Sequence, residues 1–405
     1  MPFNLETPKK FKVLSEQARQ VATEVLRPIS RKYDVAEHEY PKELDMLAAL
    51  IDGMNDSGAT QGAGATSGSA PKPPDNGGGN KNGGNLAAVL SVEEMCWGDV
   101  GLLLSMPRQG LGNAAIAAVA NEEQLLRYEG RWAAMAITEP ESGSDSASIR
   151  TTATLDGDEY VLNGEKIYVT AGERAELVVV WASLDRDVGR AAIKSFVVER
   201  SNPGMVLDRL EHKLGIRASD TAAFRLENCR VPKEDLLGSP EIDTKRSFAG
   251  VMKTFDNTRP LVAAMAVGVA QASIEFTREK LAEVGIEPDY DRPVHTQPSA
   301  AATLIELESD LEAARLLMLQ AAWMADNSKP NSLHASYAKV KAGRAGTDIA
   351  LRCVELCGSV GYDESELLEK WARDAKILDI FEGTQQIQQL IIARLLLKKT
   401  SADLK

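Results

Sequence analysis

The sequence predicts an α+β protein of several domains: an all-α N-terminal domain, a middle antiparallel β-barrel or sandwich, and a C-terminal four-helix bundle. Apolar residues first recur at helical spacing, then form short runs separated by turns, and finally return as long helical stripes. At 405 residues the chain is long enough for two or three compact units. We therefore expect domains at residues 1–131, 132–240 and 241–405.

The first domain is expected to be helical on both sides of a low-complexity segment. Residues 8–51 carry a helical apolar stripe, and Pro41 stands near the start of a second helix. Residues 86–130 are again helix-like. Between them, residues 52–85 are rich in Gly, Ser, Asn, Thr, Ala and Pro, so we expect a mobile or disordered insertion there.

The middle domain is predicted from short apolar runs bounded by turn residues. Asp156 and Gly157 separate two such runs, which is typical of a β-hairpin, and Pro232 and Gly238 close the domain. The predicted strands lie at residues 134–138, 151–155, 159–162, 177–181, 196–198 and 223–226.

The last domain is predicted from four helical segments. An alanine-rich helix over residues 261–276 has small residues that permit close packing, and a leucine-containing stripe over residues 304–321 follows it. Residues 335–357 and 384–398 complete the predicted four-helix bundle.

Composition excludes several classes of partner. A net charge of −13 argues against nucleic-acid and anionic-membrane binding, because both require basic surfaces. No apolar run approaches the roughly 20 residues that span a bilayer, and no secretory signal is evident, so we expect a cytoplasmic protein without membrane insertion. Cys353 and Cys357 are typical of small core residues, and no metal site is predicted.

One carboxylate near the C-terminus is a candidate base. Glu382 follows an apolar segment, precedes Gly383, and stands at the mouth of a periodic helix that opens with Thr384. A carboxylate in a tight, partly apolar space admits a ligand closely and can act as a general base. The alternative is an acidic residue favoured by the dipole near a helix N-terminus, and the segment alone favours that alternative.

A second candidate is the turn at residues 137–145, ITEPESGSD, which follows a predicted strand. Its hydroxyls, small residues and backbone amides can hydrogen-bond the edge of a polar ring or a phosphate. By itself the segment also fits an ordinary Asx or Ser turn, and that interpretation is favoured.

Together these segments resemble the two signatures of the acyl-CoA dehydrogenase family. The C-terminal signature comprises residues 373–377, 381–384 and 388–394, and the other comprises residues 137–145. They stand over two hundred residues apart in the family's order, and the succession of helices, sheet and helices also agrees. The resemblance covers essentially the whole chain apart from residues 52–85, and it implies an FAD-dependent flavoprotein.

The resemblance implies roles for particular residues. Glu382 corresponds to the catalytic base of most members, and no Glu lies between residues 242 and 274, where some members carry it instead. The implied flavin contacts are Met135, Ile137, Thr138, Gly143, Ser144, Tyr168, Thr170, Tyr290, Glu355, Thr384 and Gln386. The implied acyl-CoA contacts are Ser144, Asp256, Arg259 and Gly383. Alternative roles as solvated or capping charges remain open for Lys166, Arg217 and Arg259.

The sequence departs from the family pattern where members reach the flavin of a neighbouring subunit. Glu287 stands roughly where the family has the Arg of an Arg-x-x-Phe-Gly motif, and Tyr290 stands for its Phe. Glu355 replaces a Gln, and residues 52–85 replace a helical segment beside the acyl pocket. We therefore expect FAD to be held differently or weakly, or to depend on a partner chain.

The resemblance implies oxidation of a saturated acyl-CoA to a trans-2-enoyl-CoA, as in fatty-acid β-oxidation. Glu382 would remove the α-proton of the thioester while the β-hydride passes to flavin N5, and electrons would leave through an electron-transfer flavoprotein. A homo-oligomer, dimer or homotetramer, is also implied. Two alternatives stay open: an acyl-CoA oxidase-like flavoenzyme on the same fold, and a non-catalytic or partner subunit of a hetero-oligomeric dehydrogenase.

Overall fold

The chain folds, in the predicted order, into a group of helices, a β-sheet and a second group of helices, which confirms the fold class. One large apolar cluster contains side chains from both groups of helices, so the first and last groups share a core. Two smaller clusters lie against the sheet. The structure, a computed structural model, describes residues 8–56, 81, 83–107, 111–242, 249–400 and 403, without the side chains of residues 50–56 and 249–257.

The first group contains α1 Lys9–Val21, α2 Arg27–Val35, α3 Glu43–Asp56, α4 Gly84–Gly98, α5 Val100–Ser105, α6 Leu111–Val119 and α7 Glu122–Arg127. A π-helical turn, Ala22–Leu26, joins α1 to α2, next to Pro28, which lacks the amide for regular α-helical bonding. The bounds expected for the insertion, residues 52 and 85, are both wrong, because α3 continues to Asp56 and α4 begins at Gly84. Residues 57–80 and 82 of that segment lie outside the described residues.

The N-terminus of α4 is capped by a side chain from the distant second group of helices. The Asp326 carboxylate accepts the backbone N–H groups of Gly83 and Asn85 at 2.9 Å and of Leu86 at 3.1 Å. The first amides of a helix have no partner within the helix, so this carboxylate satisfies them from outside. Local composition could not predict the start of α4, because the capping group lies more than two hundred residues away.

The middle part is a seven-stranded sheet. Its strands are β1 Ala133–Ala136, β2 Thr152–Asp156, β3 Glu159–Thr170, β4 Leu177–Ser183, β5 Ile193–Glu199, β6 Met205–Leu210 and β7 Thr221–Pro232. The pairs β2–β3, β3–β7, β4–β5 and β6–β7 are antiparallel, whereas β1 runs parallel to β4. The sheet is therefore mixed rather than wholly antiparallel. The β2–β3 hairpin lies between β1 and β4 in the chain, and this long connection allows β4 to run parallel to β1. The sequence did not predict β6, whose one fully buried residue is Met205.

The last group contains α8 Ala249–Glu283, α9 Ser299–Asp326, α10 Ser332–Cys357, α11 Ser359–Tyr362, α12 Leu368–Leu378 and α13 Gln385–Leu397. Helices α8, α9 and α10 pack on one another, and α12 and α13 pack on α10. The four predicted helices are confirmed, and α12 is an additional helix that leads directly to Glu382.

One segment of α8 has the length and composition of a membrane span. Thr258–Glu283 comprises 26 residues and contains an 18-residue window with a mean hydropathy of 1.3, contrary to the expectation that no apolar run approaches the length of a membrane span. Its most apolar window is 72% buried inside the protein, because α4, α9 and α10 pack around α8. Burial in the core therefore accounts for the apolar composition of this helix.

A buried charge cluster fixes α12 against the other two parts of the chain. The Lys370 Nζ atom lies 2.7 Å from Asp99 Oδ2 and 2.5 Å from Asp374 Oδ2, and all three side chains are buried. Asp99 is the N-cap residue of α5, while Asp374 accepts the backbone N–H of Ile216 in the middle part. Helix α12 is thus held by both of the other parts.

Candidate active site

Glu382 lies in the short link between α12 and α13, in a backbone conformation that ordinary residues seldom adopt. Its φ is +56° and that of Gly383 is +100°. A Cβ atom at position 383 would lie 2.3 Å from Gln388 Nε2, which donates to the Glu382 carbonyl at 3.2 Å. Glycine is therefore required at position 383. Thr384 then caps α13 by accepting the amide N–H of Ile387 at 3.4 Å.

The Glu382 carboxylate faces the part of α8 where Thr258 and Arg259 are buried. Thr258 Oγ1 donates a hydrogen bond to Glu382 Oε2 at 2.9 Å. Burial raises the pKa of Glu382, and the Thr258 hydrogen bond together with the charges of Arg259 and Lys339 opposes that rise only in part. The result is a carboxyl group whose pKa lies above its ordinary value, as a base for weakly acidic protons requires.

Lys339 on α10 is a site residue that the sequence analysis missed. Its side chain is fully buried, and its Nζ atom has no hydrogen-bond partner among the residues that the structure describes. Burial lowers the pKa of Lys339 to about 8; the charges of Asp379 and Glu382 oppose the decrease, while those of Arg259 and Lys376 add to it. A signal was available, because residue 339 falls within an apolar helical stripe containing Ala335, Ala338, Ala342 and Gly346.

The turn after β1 is organised by a second buried charge pair. The Glu139 carboxylate accepts hydrogen bonds from Lys166 Nζ at 2.7 Å and from the backbone amides of Arg150 and Thr151. Lys166 is fully buried, so its interpretation as a solvated charge is wrong, and burial lowers its pKa to about 8. The Thr138 carbonyl accepts the amide of Ile167 at 2.9 Å, which places the turn beside β3.

The predicted flavin contacts of the middle part lie on and around this turn. Met135, Ile137, Thr138 and Thr170 are half-buried, while Gly143 and Ser144 are exposed. Tyr168 has a φ of +58°, and 61% of its surface is exposed. The strand β3 therefore holds an aromatic ring in the open, close to the hydroxyl-bearing turn.

Three other predicted flavin contacts, Tyr290, Glu355 and Gln386, are exposed on the surface of the chain. Tyr290 is exposed and donates its hydroxyl to Glu308 Oε2 at 2.8 Å, on the surface of α9. Glu355 is exposed and pairs with Arg352 on the same helix, and Gln386 is also exposed. The side chain of Asp256 lies outside the described residues, whereas Arg259 is buried and its charge acts to lower the pKa of Glu382.

Family models match nearly the whole chain. The model described as "Acyl-CoA dehydrogenase, N-terminal domain" matches residues 9–136, the corresponding middle domain matches residues 134–229, and the C-terminal domain matches residues 248–397. The fold, the carboxylate site and these matches define the class of protein as a flavin-dependent oxidoreductase. The chain belongs to the acyl-CoA dehydrogenase family.

Individual relatives agree with this assignment. The mitochondrial short-chain specific acyl-CoA dehydrogenase of Bos taurus is 32% identical over 407 residues, covering 98% of this chain and 92% of that protein. The butyryl-CoA dehydrogenase structure from Megasphaera elsdenii is 27% identical with a TM-score of 0.80, covering 98% and 100% of the two chains. A glutaryl-coenzyme A dehydrogenase in complex with glutaryl-CoA is 28% identical with a TM-score of 0.81, covering 100% and 98%. Acyl-CoA dehydrogenation is therefore the general activity of this chain.

Proposed function

We propose that the protein converts a saturated acyl-CoA thioester to a trans-2-enoyl-CoA, with Glu382 removing the α-proton. The observation that carries this proposal is the Glu382 carboxylate itself, which is half-buried, raised in pKa and oriented by Thr258. The relatives named above act on short or carboxylated acyl groups according to their names. Because these acyl groups differ, the acyl group that this protein accepts is to be determined by experiment.

The middle part has a surface that suits a flavin. Tyr168 offers an exposed aromatic face, Met135 and Ile137 offer partly exposed apolar surface, and Thr138 and Thr170 offer hydroxyls at its edge. A flat ring system with a polar rim requires this combination. We propose that these residues, with Gly143 and Ser144 on the turn, hold FAD. When bound, its flavin would supply the acceptor for the β-hydride.

Three side chains prepare Glu382 for proton transfer. The base must be ionised to act, and the Thr258 hydrogen bond and the charges of Arg259 and Lys339 favour the ionised form. Burial works in the opposite direction and makes the carboxylate a stronger base. A thioester α-proton is weakly acidic, so hydrogen bonds to the thioester carbonyl are also needed as negative charge develops. The family resemblance supports the backbone N–H of Glu382 as one of those donors.

We also propose that the active form is a homo-oligomer that passes its electrons to an electron-transfer flavoprotein. The resemblance associates Tyr290 and Glu355 with the flavin of a neighbouring subunit, and their exposure in the single chain is consistent with that role. An acyl-CoA oxidase would instead consume oxygen without an added acceptor, so oxygen uptake separates these two activities.

The substitution Glu382→Gln tests the proposed base. We expect anaerobic reduction of the bound flavin by saturated acyl-CoAs to slow by about 10²- to 10⁴-fold, because general-base catalysis contributes on that scale. The measurement is the bleaching of the flavin absorbance in a stopped-flow spectrophotometer, with acyl-CoAs of increasing chain length.

Glu364→Gln, which alters an exposed carboxylate, is the matched control and should reduce at the rate of the unmodified protein. Glu382→Gln should also keep its FAD and its melting temperature near neutral pH. A carboxyl group with a raised pKa loses stabilisation as the pH rises through that pKa, so its neutral replacement does not weaken the fold. Unchanged bleaching in Glu382→Gln would exclude Glu382 as the base.

A further inference from the structure

Glu37, His38 and His212 come together at a place that the proposed reaction does not use. Glu37 and His38 lie in the segment between α2 and α3, and His212 lies in the segment between β6 and β7. One ligand atom from each of the three side chains lies within 4.8 Å of the others. The chain contains four histidines, so half of them meet at this point.

His38 is held in an unusual state. Its two ring nitrogens are buried and have no hydrogen-bond partner among the described residues, and its backbone φ is +74°. A left-handed conformation is uncommon for residues other than glycine, and a buried polar atom without a partner is unfavourable. The His38 ring lies 4.9 Å, centroid to centroid, from the ring of His212. A ligand bound between the rings would satisfy a nitrogen of His38.

The third side chain of the group is oriented for binding a cation. Glu37 Oε2 lies 2.8 Å from His212 Nδ1, and Glu37 Oε1 accepts the backbone N–H of Lys213 at 2.9 Å. The second contact fixes the carboxylate in the way that outer hydrogen bonds fix metal ligands. The Lys213 ammonium group is directed elsewhere, since it donates to the Ser219 carbonyl at 2.9 Å.

We propose that Glu37, His38 and His212 bind one divalent transition-metal ion of the zinc type. Two imidazole nitrogens and one carboxylate oxygen form a donor set for Zn²⁺, with water completing the coordination. Ligand atoms around tetrahedral Zn²⁺ stand about 3.3 Å apart, so the group must contract slightly. His212 can make that movement, because 83% of its side chain is exposed.

The expected role of the ion is to join two segments that both support the active site. Asp34, at the end of α2, bonds the Arg373 guanidinium at 2.6 Å, and the Leu214 carbonyl accepts from the same guanidinium at 3.0 Å. Arg373 belongs to α12, which leads to Glu382. A metal ion between residues 37–38 and 212 would therefore stabilise the assembled protein without taking part in the reaction.

Titration of the untagged full-length protein with ZnCl₂ tests the site, after treatment with EDTA and its removal by dialysis. We expect saturable binding of one ion per chain by calorimetry and a rise in melting temperature. Co²⁺ should bind the same site and show the visible absorption of a four- or five-coordinate ion. Both His38→Gln and His212→Gln should weaken binding at least tenfold. His212→Gln is the safer variant for folding, because the side chain is mostly exposed.

His295→Gln is the matched control, because this histidine is exposed and belongs to a different part of the chain. It should bind Zn²⁺ as the unmodified protein does. Absence of a stoichiometric site, equal affinity in His212→Gln, or equal loss of affinity in His295→Gln would each overturn the proposal. Flavin reduction by acyl-CoA should continue in His212→Gln, which keeps this test independent of the proposed base.

Discussion

The buried ammonium of Lys339 influences the carboxylate of Glu382 without a direct hydrogen bond among the described contacts. Its positive charge lowers the pKa of Glu382, and the negative charge of Glu382 raises the pKa of Lys339 in return. Each charge therefore favours the ionised form of the other group. Lys339 is therefore a positioning residue that acts on the proposed base through its electric field.

Lys339→Met should move the acid limb of the kcat/KM profile to higher pH. The proposed base acts as a carboxylate, so activity should fall as the pH drops through the pKa of Glu382. Removing a nearby positive charge raises that pKa. The measurement is kcat/KM for one acyl-CoA from pH 5 to 9, with an artificial electron acceptor.

Lys341→Met controls for the loss of a lysine from α10, because Lys341 pairs with the half-exposed Asp310 on the protein surface. Its profile should match that of the unmodified protein. A Lys339→Met profile with the original acid limb and a uniformly lower rate would indicate a structural role instead.

At the scale of the elements, a close approach of α4 and α8 depends on a glycine. A Cβ atom at Gly268 would lie 2.2 Å from the Glu93 carbonyl and 3.0 Å from the Cys96 Cβ atom. The helices can lie this close only because position 268 has no side chain. The same α8 carries Thr258 and Arg259, so the crossing helps to set the position of the groups that face Glu382.

Gly268→Ala should reduce the free energy of unfolding by about 1–3 kcal/mol, because an extra methyl group forces the two helices apart. Alanine has a higher helix propensity than glycine, so helix propensity alone would make the variant more stable. The expected loss of stability therefore comes from the packing of the two helices. Gly84→Ala is the control, since nothing lies within 4 Å of the added Cβ. Thermal unfolding should show a lower melting temperature for the first variant alone. Equal melting temperatures would contradict the tight crossing.

At the scale of the whole molecule, the Lys370 cluster joins all three parts of the chain. One ammonium group is shared by Asp99 and Asp374, which belong respectively to the first group of helices and to α12. The backbone N–H of Ile216, in the middle part, donates to Asp374 and completes the cluster. Loss of the single positive charge would leave two carboxylates buried together.

Lys370→Met should lower the free energy of unfolding by about 3–5 kcal/mol, as expected when one partner of a buried ion pair is removed. Lys341→Met, which removes a surface pair, should change it by less than about 1 kcal/mol. Urea unfolding followed by circular dichroism measures both variants. Similar midpoints for the two would show that the cluster contributes little to stability.

The order of helices, sheet and helices was predictable from hydrophobic periodicity, and the signature around Glu382 identified it as a candidate base. What the sequence could not show depends on contacts between distant segments. The start of α4 depends on a cap by Asp326, and the burial of Lys166 depends on its pairing with Glu139. His38 and His212 come together only in the assembled fold. Lys339 was recognisable in principle, because a lysine inside an apolar stripe is unusual, but its neighbours were not.

The Lys370 cluster also has a consequence for how the protein is made. Asp99 leaves the ribosome long before its partner Lys370, which follows 271 residues later, so this ion pair cannot form until then. A chain that stops before α12 would leave Asp99 without Lys370 and would expose the apolar surfaces of α8 and α10 on which α12 packs. Premature termination should therefore yield a product that quality-control proteases recognise, rather than a shortened protein that persists in the cell.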